Sequence, residues 1–297
     1  MLCDELAGMC PSHCPVLSAS GQEARSYLLS LARHPGRAGA SAIADLLCGR
    51  TCVSRRPDDL KISPTTECNL RCGMCYQRRG RGSESLPDHV IDGLLSFAAD
   101  ARLVRIQGGE VFASPAGMRL AGRLAGGPSR RRIGVITNGT FPDSRAWKLL
   151  ADMALAWVMV SVDAANPRLY EELRPGASWS QTRANLVRLA TLKATARRPF
   201  TLAIAFTLLA ANVAEIAGIL RLGHELGIDV KFNQYWVIGE TCALDVRSDP
   251  RALATACFNL DLAEAYARLH RMPMAVASAR NLRNGLRPSG RGSREVA

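Results

Sequence analysis

Cys68, Cys72 and Cys75 are the residues of this sequence best equipped for chemistry, spaced by three and then two residues in Cys68-Asn69-Leu70-Arg71-Cys72-Gly73-Met74-Cys75. Three thiolates at that spacing can wrap one side of a compact iron–sulfur cube. A fully held cubane takes four cysteines, and the nearest others are Cys52, before the segment, and Cys242, far downstream. Three protein ligands leave one iron open, and an open position separates a catalytic metal from a structural one. Gly73 lets the backbone bend between ligands. The competing readings are a structural zinc site and a set of unligated thiols. Zinc closes four ligands, as paired C-x-x-C units or with histidines, and the spacing of His89 from the cysteines fits no such pattern. The segment therefore reads as a [4Fe–4S] loop.

The chain holds 10 cysteines in all, and in a reducing compartment such density points to metal or redox chemistry rather than disulfides. Besides the triplet they are Cys3, Cys10 and Cys14, then Cys48 and Cys52, then Cys242 and Cys257. Some of these could surround a second iron–sulfur cluster if the termini meet in space. They could equally be small apolar fillers or loop thiols.

The elements that must position the triplet follow from the apolar pattern. The 297 residues are nearly half apolar, a globular composition. From Leu60 onward short apolar runs alternate with longer helix-like stretches, the rhythm of βα units and a parallel sheet. Strands are expected at Leu60–Ser63, Leu103–Gln107, Ile133–Thr137, Trp157–Val162, Phe200–Leu208 and Val230–Tyr235. Helices are expected at about Pro87–Ala99, Ala116–Leu124, Ser144–Ala154, Ser180–Thr195 and Val213–Leu226. Each strand ends in polar or turn residues, where parallel α/β folds bind ligands. Six repeats are too few for an eight-fold barrel. The expected fold is α/β: a partial (β/α)6-type barrel of parallel strands with helices outside and short appendages at both ends.

Residues 1–59 read as a cysteine-containing helical appendage, with short helices near Gln22–Arg33 and Ala40–Leu47. Residues 60–236 are the core, and residues 237–279 a helical extension containing Pro250–His270. Residues 280–297 read as an arginine-rich disordered tail. No apolar run reaches the roughly 20 residues of a membrane span. The start of the sequence lacks a signal-peptide pattern, so a cytoplasmic protein is expected. The net charge of +12 invites a nucleic-acid reading, but 34 Arg stand against 4 Lys, scattered along the chain with few aromatics among them. A solvated basic surface is the better reading, and nucleic acid is not an expected partner.

C-x3-C-x2-C after the first strand of a βα series resembles the radical S-adenosylmethionine (radical SAM) superfamily. Gly108-Gly109-Glu110 at the end of the second strand is similar to that family's G-G-E motif. Ser161-Val162-Asp163-Ala164-Ala165 ends the fourth strand, and Tyr170-Glu171-Glu172-Leu173-Arg174-Pro175-Gly176 with Ala211-Asn212 extends the likeness over about Leu60–Tyr235. The form Ser161-Val162-Asp163-Ala164-Ala165 followed by Tyr170-Glu171-Glu172-Leu173-Arg174 is similar to members that carry auxiliary-cluster (SPASM or twitch) extensions, although two cysteines after Tyr235 do not complete one.

The resemblance implies that Cys68, Cys72 and Cys75 are catalytic and hold a [4Fe–4S] cluster, whose open iron chelates S-adenosylmethionine. It implies that Met74 packs near the adenine and that Tyr76 also belongs to the cofactor site. Gly108, Gly109 and Glu110 would bind the methionine amino group, and Ser161, Asp163 and Arg174 the ribose and the carboxylate. The residues alone leave other roles open: Asp163 as a helix cap, Arg174 as a surface residue, Asn138 in a simple turn. The implied activity is reductive cleavage to methionine and a 5′-deoxyadenosyl radical that takes hydrogen from a peptide or small metabolite. A reducing protein such as a flavodoxin or ferredoxin would supply the electron. The alternatives are a non-catalytic iron–sulfur electron carrier and an RNA-modifying enzyme of the same superfamily.

Overall fold

A computed structural model describes residues 58–75, 77, 83–99, 101–127, 131–141, 144–235 and 243–286. Two compact units divide the chain, and everything that bears on the site lies in the one made of Lys61–Gly93 and Arg102–Ala297. The expected helices near Gln22–Arg33 and Ala40–Leu47 lie outside the described residues, as do Tyr76 and every cysteine except Cys68, Cys72, Cys75 and Cys257.

Among the described residues, six strands form one sheet in sequence order: β1 (Asp59–Ile62), β2 (Leu103–Ile106), β3 (Arg132–Thr137), β4 (Leu155–Ser161), β5 (Thr201–Leu208) and β6 (Asp229–Gln234). The registers of β2 through β6 are all parallel, as in Val104↔Ile133, Val158↔Leu202 and Ile204↔Val230. Parallel strands need crossovers, and helices supply them. They are α1 (Asp88–Phe97), α2 (Pro115–Ala125), α3 (Ser144–Asp152), α4 (Pro167–Leu173), α5 (Trp179–Thr195) and α6 (Ile216–Glu225). The result is an α/β partial barrel.

Strand residues from Val104 and Ile106 through Val135, Val158 and Val160 to Ile204 and Phe206 are shielded from solvent, the burial expected of a sheet covered by helices. Helix starts carry local signals. Ser114 accepts the N–H of Gly117 before α2, with Pro115 at its first turn, and Asn166 accepts the N–H of Leu169 before α4, with Pro167 following.

Beyond β6 lie α7 (Pro250–Leu269) and α8 (Pro273–Leu286). α8 corrects the expectation of a tail from Arg280, because it runs through Leu286 and buries Ala275, Ala279, Leu282 and Leu286. The intervening arginines and asparagines concealed that helical stripe. Among the described residues no helix is long and apolar enough to cross a membrane.

Candidate active site

The triplet lies in the loop after β1, at the carboxyl end of the sheet, and successive strand ends fasten it there. The first fastening is the turn after β2. Gly109 N–H donates to Thr65 O (2.8 Å) and Glu110 N–H to Glu67 O (2.7 Å). A Cβ on Gly108 would stand 2.5 Å from the Thr65 carbonyl oxygen, and one on Gly109 1.9 Å from that of Glu67. Gly108 also takes φ +144°, where side chains are disfavoured. The two glycines let a strand end lie directly on the backbone that leads into Cys68.

The second fastening comes from β3. Asn138 donates through its amide to Asn69 Oδ1 (2.9 Å) and to Cys68 Sγ (3.8 Å). The third comes from beyond β4, where Pro175 O accepts the N–H of Arg71 (2.8 Å). Leu70, only 2% exposed, plugs the loop into the core between the first two cysteines. Gly73 and Met74 form the turn to Cys75, whose N–H donates to Cys72 O (3.2 Å), and Met74 is half-buried.

Donors approach two of the three sulfurs. Leu70 N–H and the Asn138 amide point at Cys68 Sγ, at 3.4 and 3.8 Å, while Arg174 Nη1 points at Cys72 Sγ at 4.0 Å. Burial pushes both thiols above their ordinary range, opposed at Cys68 by the Leu70 N–H and at Cys72 by the Arg174 charge. All three thiols are free and at least partly accessible. Among the described residues no three of His, Cys, Asp and Glu converge on a point that would hold one ion. His89 is exposed on α1.

Glu110 is 1% exposed and spent on the protein itself. Its carboxylate accepts from Asn138 N–H (2.6 Å), Thr137 Oγ1 (2.8 Å) and Phe112 N–H (3.2 Å). Burial pushes its carboxyl upward, and these three donors pull the other way. Asp163 and Arg174 form a buried ion pair, Nε to Oδ2 at 2.8 Å and Nη2 to Oδ2 at 2.5 Å. Burial works hardest against the guanidinium charge, but the Asp163 charge and hydrogen bond, with Cys72 and Tyr170 nearby, together outweigh it and hold Arg174 above its ordinary range.

Asp163 also accepts Thr207 N–H (2.8 Å), and Asn212 donates to Asp163 O and Thr207 O (both 2.9 Å), which ties the ends of β4 and β5 together. Asp163 is thus no helix cap, a role Asn166 fills instead. Ser161, half-buried at the end of β4, has no side-chain hydrogen bond among the described residues.

The polar side chains behind the loop carried no sequence signal beyond that of turn residues. Asn69, Asn138 and Thr140 bond one another, while Gln181 and Asn185 of α5 donate to the carbonyls of Thr140 (3.1 Å) and Gly139 (2.8 Å). A cavity of about 580 Å³ lies elsewhere, lined by Asp152, Leu155 and Phe200 where strands begin. That is the wrong end of a parallel sheet for the chemistry.

Three free thiols on one rim loop, with N–H and guanidinium donors aimed at two of them, suit a negatively charged, thiolate-held cluster with one face open. Residues 62–204 match the model of the radical SAM superfamily. Among curated proteins, the chain is 27% identical to the GTP 3′,8-cyclase of Alkaliphilus metalliredigens, over 61% of this chain and 57% of that one. It is 32% identical to the GTP 3′,8-cyclase of Acidothermus cellulolyticus over 42% of this chain and 37% of that one. It thus spans less than two thirds of the length of these relatives.

Among solved structures, Streptococcus suis SuiB bound to S-adenosylmethionine superposes with a TM-score of 0.57 at 16% identity, over 82% of this chain and 54% of that one. anSMEcpe with bound AdoMet gives 0.55 at 18%, over 73% and 62%. At such identities the likeness speaks for the fold. The likeness to the radical SAM superfamily thus runs through the sheet-and-loop segment 62–204.

Proposed function

We propose that this chain is a radical SAM enzyme that acts on a small metabolite, with Cys68, Cys72 and Cys75 holding the [4Fe–4S] cluster that the match to that superfamily implies. The observation that carries the proposal is the cysteine loop itself, fastened by backbone and side-chain bonds from β2, β3 and the segment after β4 so that its thiols gather at the rim. When bound and reduced, such a cluster supplies the electron that cleaves S-adenosylmethionine to methionine and a 5′-deoxyadenosyl radical.

The protein's own part is placement. Gly108 and Gly109 bring the β2 end against the loop, and Met74 offers an apolar side chain beside Cys75. Ser161 is the polar group at the β4 end with a side chain to spare for a ligand. Arg174, held in place by Asp163, points a guanidinium N–H at Cys72, which favours an anion there such as a thiolate or a carboxylate. Glu110 acts from behind the site, through the backbone of Asn138. The small-metabolite reading is supported by the curated relatives, whose shared name is that of an enzyme acting on a nucleotide. A peptide substrate is the second reading, favoured by the SuiB structure bound to its precursor peptide.

The test is anaerobic purification, rebuilding of the cluster with iron and sulfide, reduction, and addition of S-adenosylmethionine, beside Cys72→Ala. Formation of 5′-deoxyadenosine by the parent alone is the expected result. A protein that holds iron yet cleaves nothing, with or without candidate nucleotides and peptides, would instead be an electron carrier. A protein that binds no iron would end the proposal.

A further inference from the structure

Asn138, Thr140 and Asn69 form a closed circuit. Thr140 Oγ1 donates to Asn138 Oδ1 (2.7 Å), Asn138 Nδ2 donates to Asn69 Oδ1 (2.9 Å), and Asn69 Nδ2 donates back to Thr140 Oγ1 (2.8 Å). Thr140 N–H adds a second bond to Asn138 Oδ1 (3.0 Å). The circuit settles which end of the Asn138 amide is nitrogen, because the oxygen already receives two donors and the opposite atom must donate to Asn69. An amide nitrogen carries two hydrogens. One is used on Asn69, and the other points at Cys68 Sγ, 3.8 Å away.

The amide has nowhere else to turn. Its residue is 7% exposed, and its backbone N–H is held by Glu110 Oε2 at 2.6 Å. On the other side, Asn185 holds the Gly139 carbonyl and Gln181 that of Thr140.

An N–H aimed at a ligating sulfur stabilises negative charge on it. Adding an electron to an iron–sulfur cluster increases that charge, so such a donor makes reduction easier. Resting on the reading of Cys68 as a cluster ligand, we infer that Asn138 is a positioning residue that raises the reduction potential of the cluster through Cys68, with Glu110, Asn69 and Thr140 holding its amide in place. The buried Glu110 carboxylate thereby serves electron entry from a distance, although every donor to it comes from the protein.

The experiment is an anaerobic redox titration of the reconstituted full chain, without S-adenosylmethionine, following the electron paramagnetic resonance signal of the reduced cluster. Asn138→Ala removes the donor. Asn138→Asp keeps the size and the acceptor for Thr140 but replaces the donor with a negative oxygen. Asn185→Ala loosens the same turn and leaves the donor untouched. At the parent's midpoint potential, the reduced-to-oxidised ratio is expected to fall about tenfold in Asn138→Ala, a downward shift of about 59 mV for one electron. It should fall at least as far in Asn138→Asp and stay unchanged in Asn185→Ala.

An unchanged or raised midpoint in the Asn138 variants would overturn the inference, as would an equal fall in Asn185→Ala. Loss of the cluster from both Asn138 variants while Asn185→Ala keeps it would also overturn it, since Asn138 would then be needed for binding rather than for tuning. A parent protein that takes up no cluster would defeat the functional reading itself, a separate and recognisable result.

Discussion

Breaking the Asp163–Arg174 pair should cost far more stability than breaking any ion pair on the surface. The Asp163 side chain is 0% exposed and that of Arg174 9%, so neither charge has water to fall back on. Removing one member of a buried pair leaves the other charge uncompensated, which costs about 3–5 kcal/mol, against about 0–1 kcal/mol for an exposed pair. Asp163→Asn is the cleanest perturbation. The new amide can still accept Thr207 N–H through its oxygen, so the loss reports the charge rather than the β4–β5 tie.

For a chain of this size the cost corresponds to a drop in melting temperature on the order of 10 °C. The assay is urea unfolding of the metal-free protein under reducing, anaerobic conditions, for Asp163→Asn, Arg174→Met and the double variant. The double variant removes both charges at once. It should be less damaged than the sum of the singles, with a coupling of at least about 2 kcal/mol. Single variants that each cost under about 1 kcal/mol, or strict additivity in the double, would refute the reasoning.

Two further outcomes follow from features described above. Gly109→Ala would push a methyl to 1.9 Å from the Glu67 carbonyl oxygen, so the backbone leading into Cys68 must shift. Iron uptake on reconstitution should fall well below the parent's, together with a stability loss of about 1–3 kcal/mol, and parent-like iron content would show that the close approach is dispensable. Glu264 lies between Arg268 and Arg280, each at 2.7 Å, and those hydrogen bonds, chiefly Arg280's, hold its carboxyl down at about 2 from an ordinary 4.5. A depressed carboxylate contributes stability above its unfolded value, and that contribution drains away as pH falls from about 4.5 toward about 2. The gap in urea midpoint between the parent and Glu264→Gln should therefore be smaller at about pH 3 than at about pH 6. An equal gap at both would remove the charge from the explanation.

Most of the sheet was legible because parallel strands announce themselves as short β-branched runs between helical stretches, and each observed strand lies within two residues of its expected span. What escaped was of two kinds. Helix α4 is only seven residues long and ends in Tyr170-Glu171-Glu172-Leu173, so its one clear sequence mark is the capping signal, Asn166 followed by Pro167. α8 hid because its buried residues are two alanines and two leucines set among arginines and asparagines, a weak contrast for a hydrophobic stripe.

At the site, the residue types were readable but their partners were not. Asn69 and Asn138 are 69 positions apart and look alike as turn residues, and only the folded sheet sets them side by side. Glu110 shows the same limit from the other direction. A carboxylate after two glycines suggests a group offered to a ligand, whereas here three protein donors already occupy it.

The fastening of the cysteine loop also bears on how far the fold depends on a metal. Among the described residues, bonds from Gly109 and Glu110, from Asn138 and from the Pro175 carbonyl hold the loop from the protein side. In small metal-dependent domains the ion is what folds the chain, and a chelator unravels them. A loop fastened by the barrel's own bonds should instead keep its backbone in place without any metal, so a chelator is expected to leave the fold of this chain standing.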